Sequence, residues 1–400
     1  MAVLRPENEE EVVRVLLERY ERGSPVAVVG SGGKSGWGET VAAEDSLDLS
    51  GLSGVTLYEP NELVLSARAG TPLSMIETLL AENDQELAFE PMDAAPLFGG
   101  ASGQATLGGT LAANVSGPRR IKAGAARDHV LGIRAVSGWG ELFKSGGRVV
   151  KNVTGYDLSR GLSGSWGTLA VFTEITLKVL PKAPDSATLV VLGLNDAAGV
   201  DLLCAAMGSP WEVSSAAHVP AALSANLPVD LGAGGRALTL MRLEGVGPSV
   251  DYRAEKLRAL AGDLEAVLVA DTESRALWRH LRDASFFAGG QGALWRLSLP
   301  PLGGPRVVNN LKAAGSFRHF YDWSGGLLWL ASEPGSEEAL AALMRGTVER
   351  EGGYATLVRR GTTSADVPAF HPQAPALAAL ARNLRQNFDP KNILNPGRMG

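Results

Sequence analysis

In residues 27–36, AVVGSGGKSG, a short apolar run opens into four glycines, two serines and a lysine, so successive backbone N–H groups are free to close on an anion. The following SGWGETVAAEDS leads into the strand-like SLDLS within about a dozen residues, too short a span for the helix of a βαβ crossover. This disfavours a doubly wound dinucleotide fold, and Asp48 reads as a strand residue, not a ribose-binding acid. A Walker A loop fails as well, because Val28 stands where its first glycine belongs. Two readings of the loop remain: a pyrophosphate cradle ahead of a strand, or a plain turn in a small β unit.

The rest of the chain bears on the choice. Val12, Val13, Leu16, Leu17 and Tyr20 form a helical stripe with acids in its first turn and Gly23 as its stop. PVAVV is a strand feeding the loop, VTLYEPNELVLSARAG is two strands around a Pro-Asn turn, and Thr71-Pro72 starts a helix through Leu80, with the threonine as cap. The order α-β-β-β-β-α is unlike a doubly wound sheet. Residues 96–117, PLFGGASGQATLGGTLAANVSG, are a second side-chain-poor ribbon, costly in chain entropy unless something approaches the backbone closely. A flat ligand with a phosphate tail accounts for both ribbons. Residues 129–146 read as a hairpin around Ser137-Gly138, and TLAVFTEITLKVLP as a long strand-rich run.

Beyond Pro184, ATLVVLGL, residues 197–207, RALTLMRLEG, residues 250–261 and EAVLVAD alternate strand and helix, and a similar set runs from GALWRLSLP to YATLVRR. An antiparallel sheet covered by helices on one face is the economical picture. Leu377, Leu380, Leu384 and Phe388 mark one face of a last helix, stopped by Asp389-Pro390, and the tail NILNPGRMG is short enough to return to another domain. The expected class is α+β, with domains at 1–183, 184–370 and a returning 371–400.

Four hundred residues are enough for two to three cores, and 45% apolar with 20% charged residues is the profile of a soluble globular chain. A net charge of −6 argues against a nucleic-acid-coating role or a polybasic membrane surface. The single cysteine, Cys204, excludes an internal disulfide and any cysteine-ligated cluster, and fits a reducing compartment. With acids where a secretion signal needs basic residues, the expected location is cytoplasmic, with room for docking at the inner face of the membrane through partners.

Taken together, the motifs resemble those of flavoproteins of the vanillyl-alcohol oxidase type, with the PCMH FAD-binding fold and an inserted antiparallel α+β cap domain. The resemblance rests on Gly30, Ser31, Gly32, Gly33, Lys34 and Ser35; on Thr106-Leu107-Gly108-Gly109, Ala112-Ala113-Asn114-Val115-Ser116-Gly117 and Arg127-Asp128; on Gly164-Ser165-Trp166-Gly167-Thr168-Leu169 through Thr173-Glu174-Ile175-Thr176; and on Phe388-Asp389-Pro390 with Asn395-Pro396-Gly397. Within that group, Gly146-Gly147-Arg148, residues 151–160 (KNVTGYDLSR) and GALWRLSLP are similar to the smaller FAD-binding subunits of bacterial glycolate oxidases. The resemblance implies FAD, a second FAD-binding catalytic subunit, an iron–sulfur subunit, a small 2-hydroxy acid as substrate and an acceptor other than oxygen. A self-sufficient hydroxy-acid dehydrogenase and a non-catalytic flavin scaffold are the alternatives.

By the same resemblance, Gly30 to Ser35 supply amides to the pyrophosphate, Gly108, Gly109 and Asn114 approach the flavin ring edge, and Asn395 is a further ring contact. Thr106, Ala113, Gly117, Arg127, Asp128, Gly167 and Ile175 complete the expected cofactor set. The loops offer Lys34 but neither His nor Cys, so FAD is expected to be non-covalent. Trp166 and Ser31 depart from the pattern. Related metal-dependent dehydrogenases use close histidines; here the nearest two of the five are 39 apart, and no metal site is expected. A substrate carboxylate calls for a forked cation. Arg242, Arg282 and Arg296 are candidates, Arg296 and Arg282 foremost. His371 is the one histidine near the last helix, and no general base is assigned.

Overall fold

The computed structural model describes residues 2–148, 155–363 and 366–400, so KNVT of the KNVTGYDLSR motif lies outside the described residues. The chain divides into two compact units. One comprises Met1–Ser116, Gly124–Lys182 and Pro372–Gly400; the other Gly117–Ala123 and Ala183–His371.

The first unit opens with β1 (Val3–Leu4) and α1 (Glu9–Arg22). Asn8 caps α1, its Oδ1 accepting from Glu11 N at 2.9 Å, three glutamates fill the first turn, and Gly23 closes it at φ 62°. Val12 and Leu16 are buried, whereas Leu17, expected on the same stripe, is exposed. Next come β2 (Val26–Val29) and β3 (Asp45–Asp48), which pair in parallel inside a small sheet ordered β1-β3-β2. Parallel neighbours need a long crossover, usually a helix. Residues 30–44 cross over as loop and turns alone, leaving the end of β2 open for a ligand.

β4 (Val55–Glu59) and β5 (Val64–Arg68) form the expected hairpin. α2 (Leu73–Ala81) follows, but Thr71 does not cap it. The Thr71 hydroxyl donates to Arg68 O at 2.7 Å, while the backbone of 71–73 is pinned to the second ribbon by Leu73 N to Ala105 O and Leu107 N to Thr71 O. The helix therefore starts two residues after the expected cap. After β6 (Gln85–Glu86), Thr106 Oγ1 accepts from Gly109 N and starts α3 (Leu107–Ala113). Gly108 lies against β5: a Cβ there would stand 2.8 Å from Ala69 Cβ, and its N–H reaches Ala69 O at 2.7 Å. That close helix–strand packing leaves no room for a side chain at Gly108.

The chain then visits the second unit through α4 (Arg120–Ala123) and returns for β7 (Val130–Ser137), β8 (Leu142–Gly146), α5 (Leu158–Leu162), β9 (Ala170–Lys178) and β10 (Leu180–Pro181). The visit by Gly117–Ala123 departs from the expected uninterrupted 1–183 segment. An antiparallel sheet ordered β4-β5-β9-β7-β8 packs its apolar face, with Leu65, Ala67, Ile133 and Ile175, on Ile76, Leu80 and Leu111.

The second unit is one eight-stranded antiparallel sheet. Its chain order is β11 (Asp185–Leu192), α6 (Asp196–Met207), β12 (Ser215–Val219), α7 (Ala221–Ser224), β13 (Leu238–Gly245), α8 (Gly247–Ala261), β14 (Ala266–Ala270), α9 (Asp271–Arg282), β15 (Leu294–Ser298), α10 (Gly304–Leu311), β16 (Phe317–Asp322), β17 (Leu327–Ser332), α11 (Glu337–Arg350) and β18 (Tyr354–Arg359). Helices do not keep to one face. Ala187, Leu189 and Val191 of β11 pack with Leu203 of α6 and Leu257 of α8. The alternate residues Ser186 and Thr188 meet α9, through Ser274 Oγ and Trp278 Nε1 at 2.8–3.0 Å.

The last helix, α12 (Pro375–Phe388), forms where expected, but its stripe is not a core face: Leu377, Leu380 and Leu384 are exposed. Phe388 anchors it against Phe143. Asp389 then turns the chain by accepting from Ile393 N and Leu394 N at 3.0 and 2.8 Å. Among the described residues no helix is long and apolar enough to cross a membrane.

Candidate cofactor-binding site

All of this site lies in the first unit. β2 ends at Val29 and delivers Gly30 to the mouth of a cavity of about 310 Å³, which residues 30–35 line together with Thr106, Gly109, Trp166, Asn395 and Arg398. Gly30 has no room for a side chain, since a Cβ would sit 2.5 Å from Thr106 Oγ1. Ser35 N turns back to Gly32 O and Trp37 N to Lys34 O, a tight turn that Gly32 permits at φ 75°. The amides of Ser31, Gly32, Gly33 and Lys34 have no acceptor among the described residues. Four successive donors without a protein partner form a concave anion site. Burial pushes the Lys34 amine down to about 8, against the opposing pull of Asp93; it is half-buried beside the cavity, not solvent-facing.

The opposite wall is built by the returning tail. Val26 N donates to Ile393 O and Asn395 N to Val26 O, so the tail extends the small parallel sheet. Asn395 accepts at Oδ1 from Val28 N at 2.7 Å and donates from Nδ2 to Trp166 O at 2.8 Å. Gly167, at φ 70°, clears this amide: a Cβ there would approach Asn395 Nδ2 to 2.9 Å. An adjoining cavity of about 60 Å³ reaches Gly108 and Gly167. Trp166, flagged in the sequence as a departure from the family pattern, lines the cavity together with Arg398, which motif reading did not assign, and Trp37 packs behind it. Trp166, held at φ 55°, packs against Trp37 with ring centroids 5.6 Å apart and the planes tilted by 54°, and the Arg398 guanidinium lies 5.4 Å over Trp166. Neither cavity is lined by His, Cys, Asp or Glu.

Of the expected cofactor set, Gly30, Ser31, Gly32, Gly33, Lys34, Ser35, Thr106, Gly108, Gly109, Gly167 and Asn395 therefore converge. The other six do not line either cavity. Asn114, expected at the ring edge, ends α3 at φ 48° and accepts from Arg127 N at 3.1 Å. Asp128 accepts from Ala125 N at 2.9 Å, and the Arg127 side chain is largely exposed. Ala113 is half-buried within α3, and Ile175 is core. Gly117 belongs to the second unit, where its carbonyl accepts from Trp323 Nε1 at 3.0 Å.

The second unit sorts the arginine candidates. Arg282 has its fork filled by Asp283, at 2.9 and 2.8 Å. Arg242 is buried against Ser215, Glu244 and the Trp278 ring. Arg296 has neither a hydrogen bond nor an ion pair among the described residues; its guanidinium lies 4.9 Å over Trp323, which Arg120 also faces at 4.7 Å. Burial lowers Arg296 to about 10, with Arg120 adding to the shift and Tyr354 and Asp322 opposing it. His371 is engaged on both ring nitrogens, by Ala355 N at 3.2 Å and Glu349 at 3.1 Å. Spacing along the chain misjudged two histidines: His218 and His319 converge on Asp196, at 3.6 and 2.8 Å. Among the described residues no His, Cys, Asp or Glu group is arranged to hold a metal ion.

The free amides, the two cations and the space-limited glycines fit a dinucleotide with a pyrophosphate. Comparison with known proteins agrees. Residues 1–146 match the FAD binding domain family. The chain is 33% identical to glycolate oxidase subunit GlcE of Escherichia coli strain K12, covering 94% of this chain and 93% of that protein. It is 28% identical to glycolate oxidase subunit GlcD of Bacillus subtilis strain 168, over 100% of this chain and 88% of that one. Among solved structures, p-cresol methylhydroxylase with substrate bound superposes with a TM-score of 0.70 at 16% identity, covering 100% of this chain and 88% of that one, a likeness of fold.

Proposed function

The chain belongs to the family of FAD-binding glycolate oxidase subunits, and from that premise we propose that it carries FAD in a complex that oxidises glycolate or a related small 2-hydroxy acid and passes electrons to an acceptor other than oxygen. The observation that carries this reading is the row of four partnerless amides beside Lys34 on a cavity with no acidic lining. FAD is the cofactor, and the absence of His and Cys from the lining supports non-covalent binding. Bound FAD supplies the acceptor for the hydride of the hydroxyl-bearing carbon. The amides of residues 31–34 bind its pyrophosphate, Lys34 and Arg398 balance the charge, and Asn395 and Trp166 shape the wall. Arg296 holds the substrate carboxylate; a guanidinium with no acceptor of its own supports that assignment over Arg282, which already has one.

In this reading a second flavin subunit and an iron–sulfur subunit complete the assembly on the cytoplasmic side; the relative named a glycolate oxidase subunit supports only that the chain works in a multi-subunit complex. The test is an anaerobic titration of the purified, yellow chain with glycolate and with D-lactate, alone and with its partner subunits. Bleaching only with partners supports the subunit role. Bleaching of the chain alone favours a self-sufficient dehydrogenase, and a chain that takes up no FAD overturns the reading.

A further inference from the structure

The last residues of the chain lie across residues 34–42 and hydrogen-bond to them. The Arg398 guanidinium donates to Ser35 O at 2.9 Å, to Glu39 O at 3.2 Å and to Lys34 O at 2.5 Å. In return Glu39 N donates to Arg398 O at 3.2 Å, and Ala42 N to Pro396 O at 3.0 Å. Five hydrogen bonds thus strap the tail across the segment that follows the four free amides. The cation stacks on Trp166, which packs on Trp37 of the same segment, so the strap and the loop share one aromatic anchor. A guanidinium is suited to this position because its planar fork addresses several carbonyls at once, whereas an ammonium is a point charge.

Charge ties the strap to the ligand. Lys34 and Arg398 both line the cavity, and no carboxylate does. Burial disfavours the charged form of both groups, lowering Lys34 to about 8 and Arg398 to about 10; a pyrophosphate, with two negative charges, gives both a counter-charge. We propose that residues 396–398 are a latch over the FAD site, with Arg398 as the positioning residue that keeps the pyrophosphate loop closed and sets the rate of FAD release. This rests on the chain binding FAD.

The experiment compares the FAD dissociation rate, followed by recovery of flavin fluorescence, in the parent chain, Arg398→Met and Arg398→Lys. Arg398→Met is expected to release FAD about tenfold faster or more, the loss of at least one charge-assisted hydrogen bond. Arg398→Lys should fall between, because one ammonium cannot serve three carbonyls. Release within twofold of the parent in Arg398→Met, or full rescue by lysine, overturns the latch. Hydrogen exchange on the parent chain gives an independent readout that needs no variant to fold. The amides of Glu39 and Ala42, which bond to the tail, should exchange more slowly once FAD is added. Equal exchange with and without FAD overturns the proposal. A parent chain that binds no FAD at all refutes the cofactor reading instead, so the two failures are distinguishable.

Discussion

Asn395 is the side chain on which the cofactor wall turns, and replacing it separates hydrogen bonding from shape. In Asn395→Ala, Val28 N loses its acceptor at 2.7 Å and Trp166 O its donor at 2.8 Å. Each buried backbone group left unpaired costs about 1–2 kcal/mol. Asn395 also sits at φ 44°, in the left-handed region, where alanine adds about 1 kcal/mol. The sum is about 3–5 kcal/mol in the urea unfolding of the first unit, with FAD affinity falling alongside. Asn395→Asp keeps the acceptor for Val28 N but turns a carboxylate oxygen on Trp166 O. Its carboxyl should therefore have a raised pKa in the folded state, because only the protonated form can donate to that carbonyl. The destabilisation is then largest at neutral pH and eases as pH falls through the raised folded pKa, since the folded protein binds the proton more tightly than the unfolded chain. An Asn395→Ala variant within 1 kcal/mol of the parent, or an Asn395→Asp penalty that does not change with pH, refutes the reasoning.

The remaining predictions concern both units. Glu244 is held at about 2 because the charges of Arg242 and Arg119 outweigh the opposing effect of burial; its stabilisation, on the order of 3 kcal/mol, is fully present above the ordinary glutamate pKa and is lost as pH falls below that pKa toward about 2. Acid unfolding of Glu244→Gln should accordingly be flatter in this window, while the variant is less stable at neutral pH, where two buried guanidiniums lose their counter-charge; a parent-like acid limb would count against the ion cluster. Gly30→Ala drives a methyl to 2.5 Å from Thr106 Oγ1 and should weaken FAD binding by about 1–3 kcal/mol in a fluorescence titration; unchanged affinity means that the loop has room to shift. Arg296→Met should raise the KM for the hydroxy acid roughly 10- to 100-fold, as expected for a lost charged hydrogen bond, without altering the flavin spectrum. Arg282→Met should change it far less, and equal effects of the two would discard the assignment.

Much of the first unit is legible because its signals are local. The α1 stripe, the stop at Gly23 and the missing crossover between β2 and β3 all follow from residues within a few positions of one another. The site was legible wherever backbone is the functional group, because a glycine without space for a Cβ, such as Gly30 or Gly167, advertises close approach. It was not legible at Arg398: three carbonyls some 360 positions earlier in the chain decide where that side chain goes, and NPGRMG says nothing of them. Asn114, Arg127 and Asp128 mislead for a related reason. Their motif is a fastening of the end of α3 to the next turn, which fixes the ribbon without touching the cavity. In the second unit, helices on one face of the sheet were expected, yet Ser186 and Thr188 hydrogen-bond to α9 on the face opposite α6 and α8.

The histidines show why separation along a chain is a poor measure of proximity. A sheet brings β12 beside β16, with His218 opposite Tyr321, so residues from distant segments share one patch of its surface. What argues against a metal there is chemistry, not spacing. The Asp196 carboxylate is already engaged at Oδ2 by His319 Nε2 and the Tyr321 hydroxyl, at 2.8 and 3.0 Å, and His218 Nδ1 by Thr239 Oγ1 at 2.9 Å. Burial works to raise the Asp196 pKa, and the contacts from His218 and His319 overcome it, holding the group well below the usual carboxylate range. A carboxylate whose charge is stabilised by its neighbours, and which stands in the first turn of α6, ties that helix to the sheet. Asp196 thus serves as the shared anchor of this cluster, whereas Arg296 has neither a hydrogen bond nor an ion pair among the described residues and lies over the Trp323 ring.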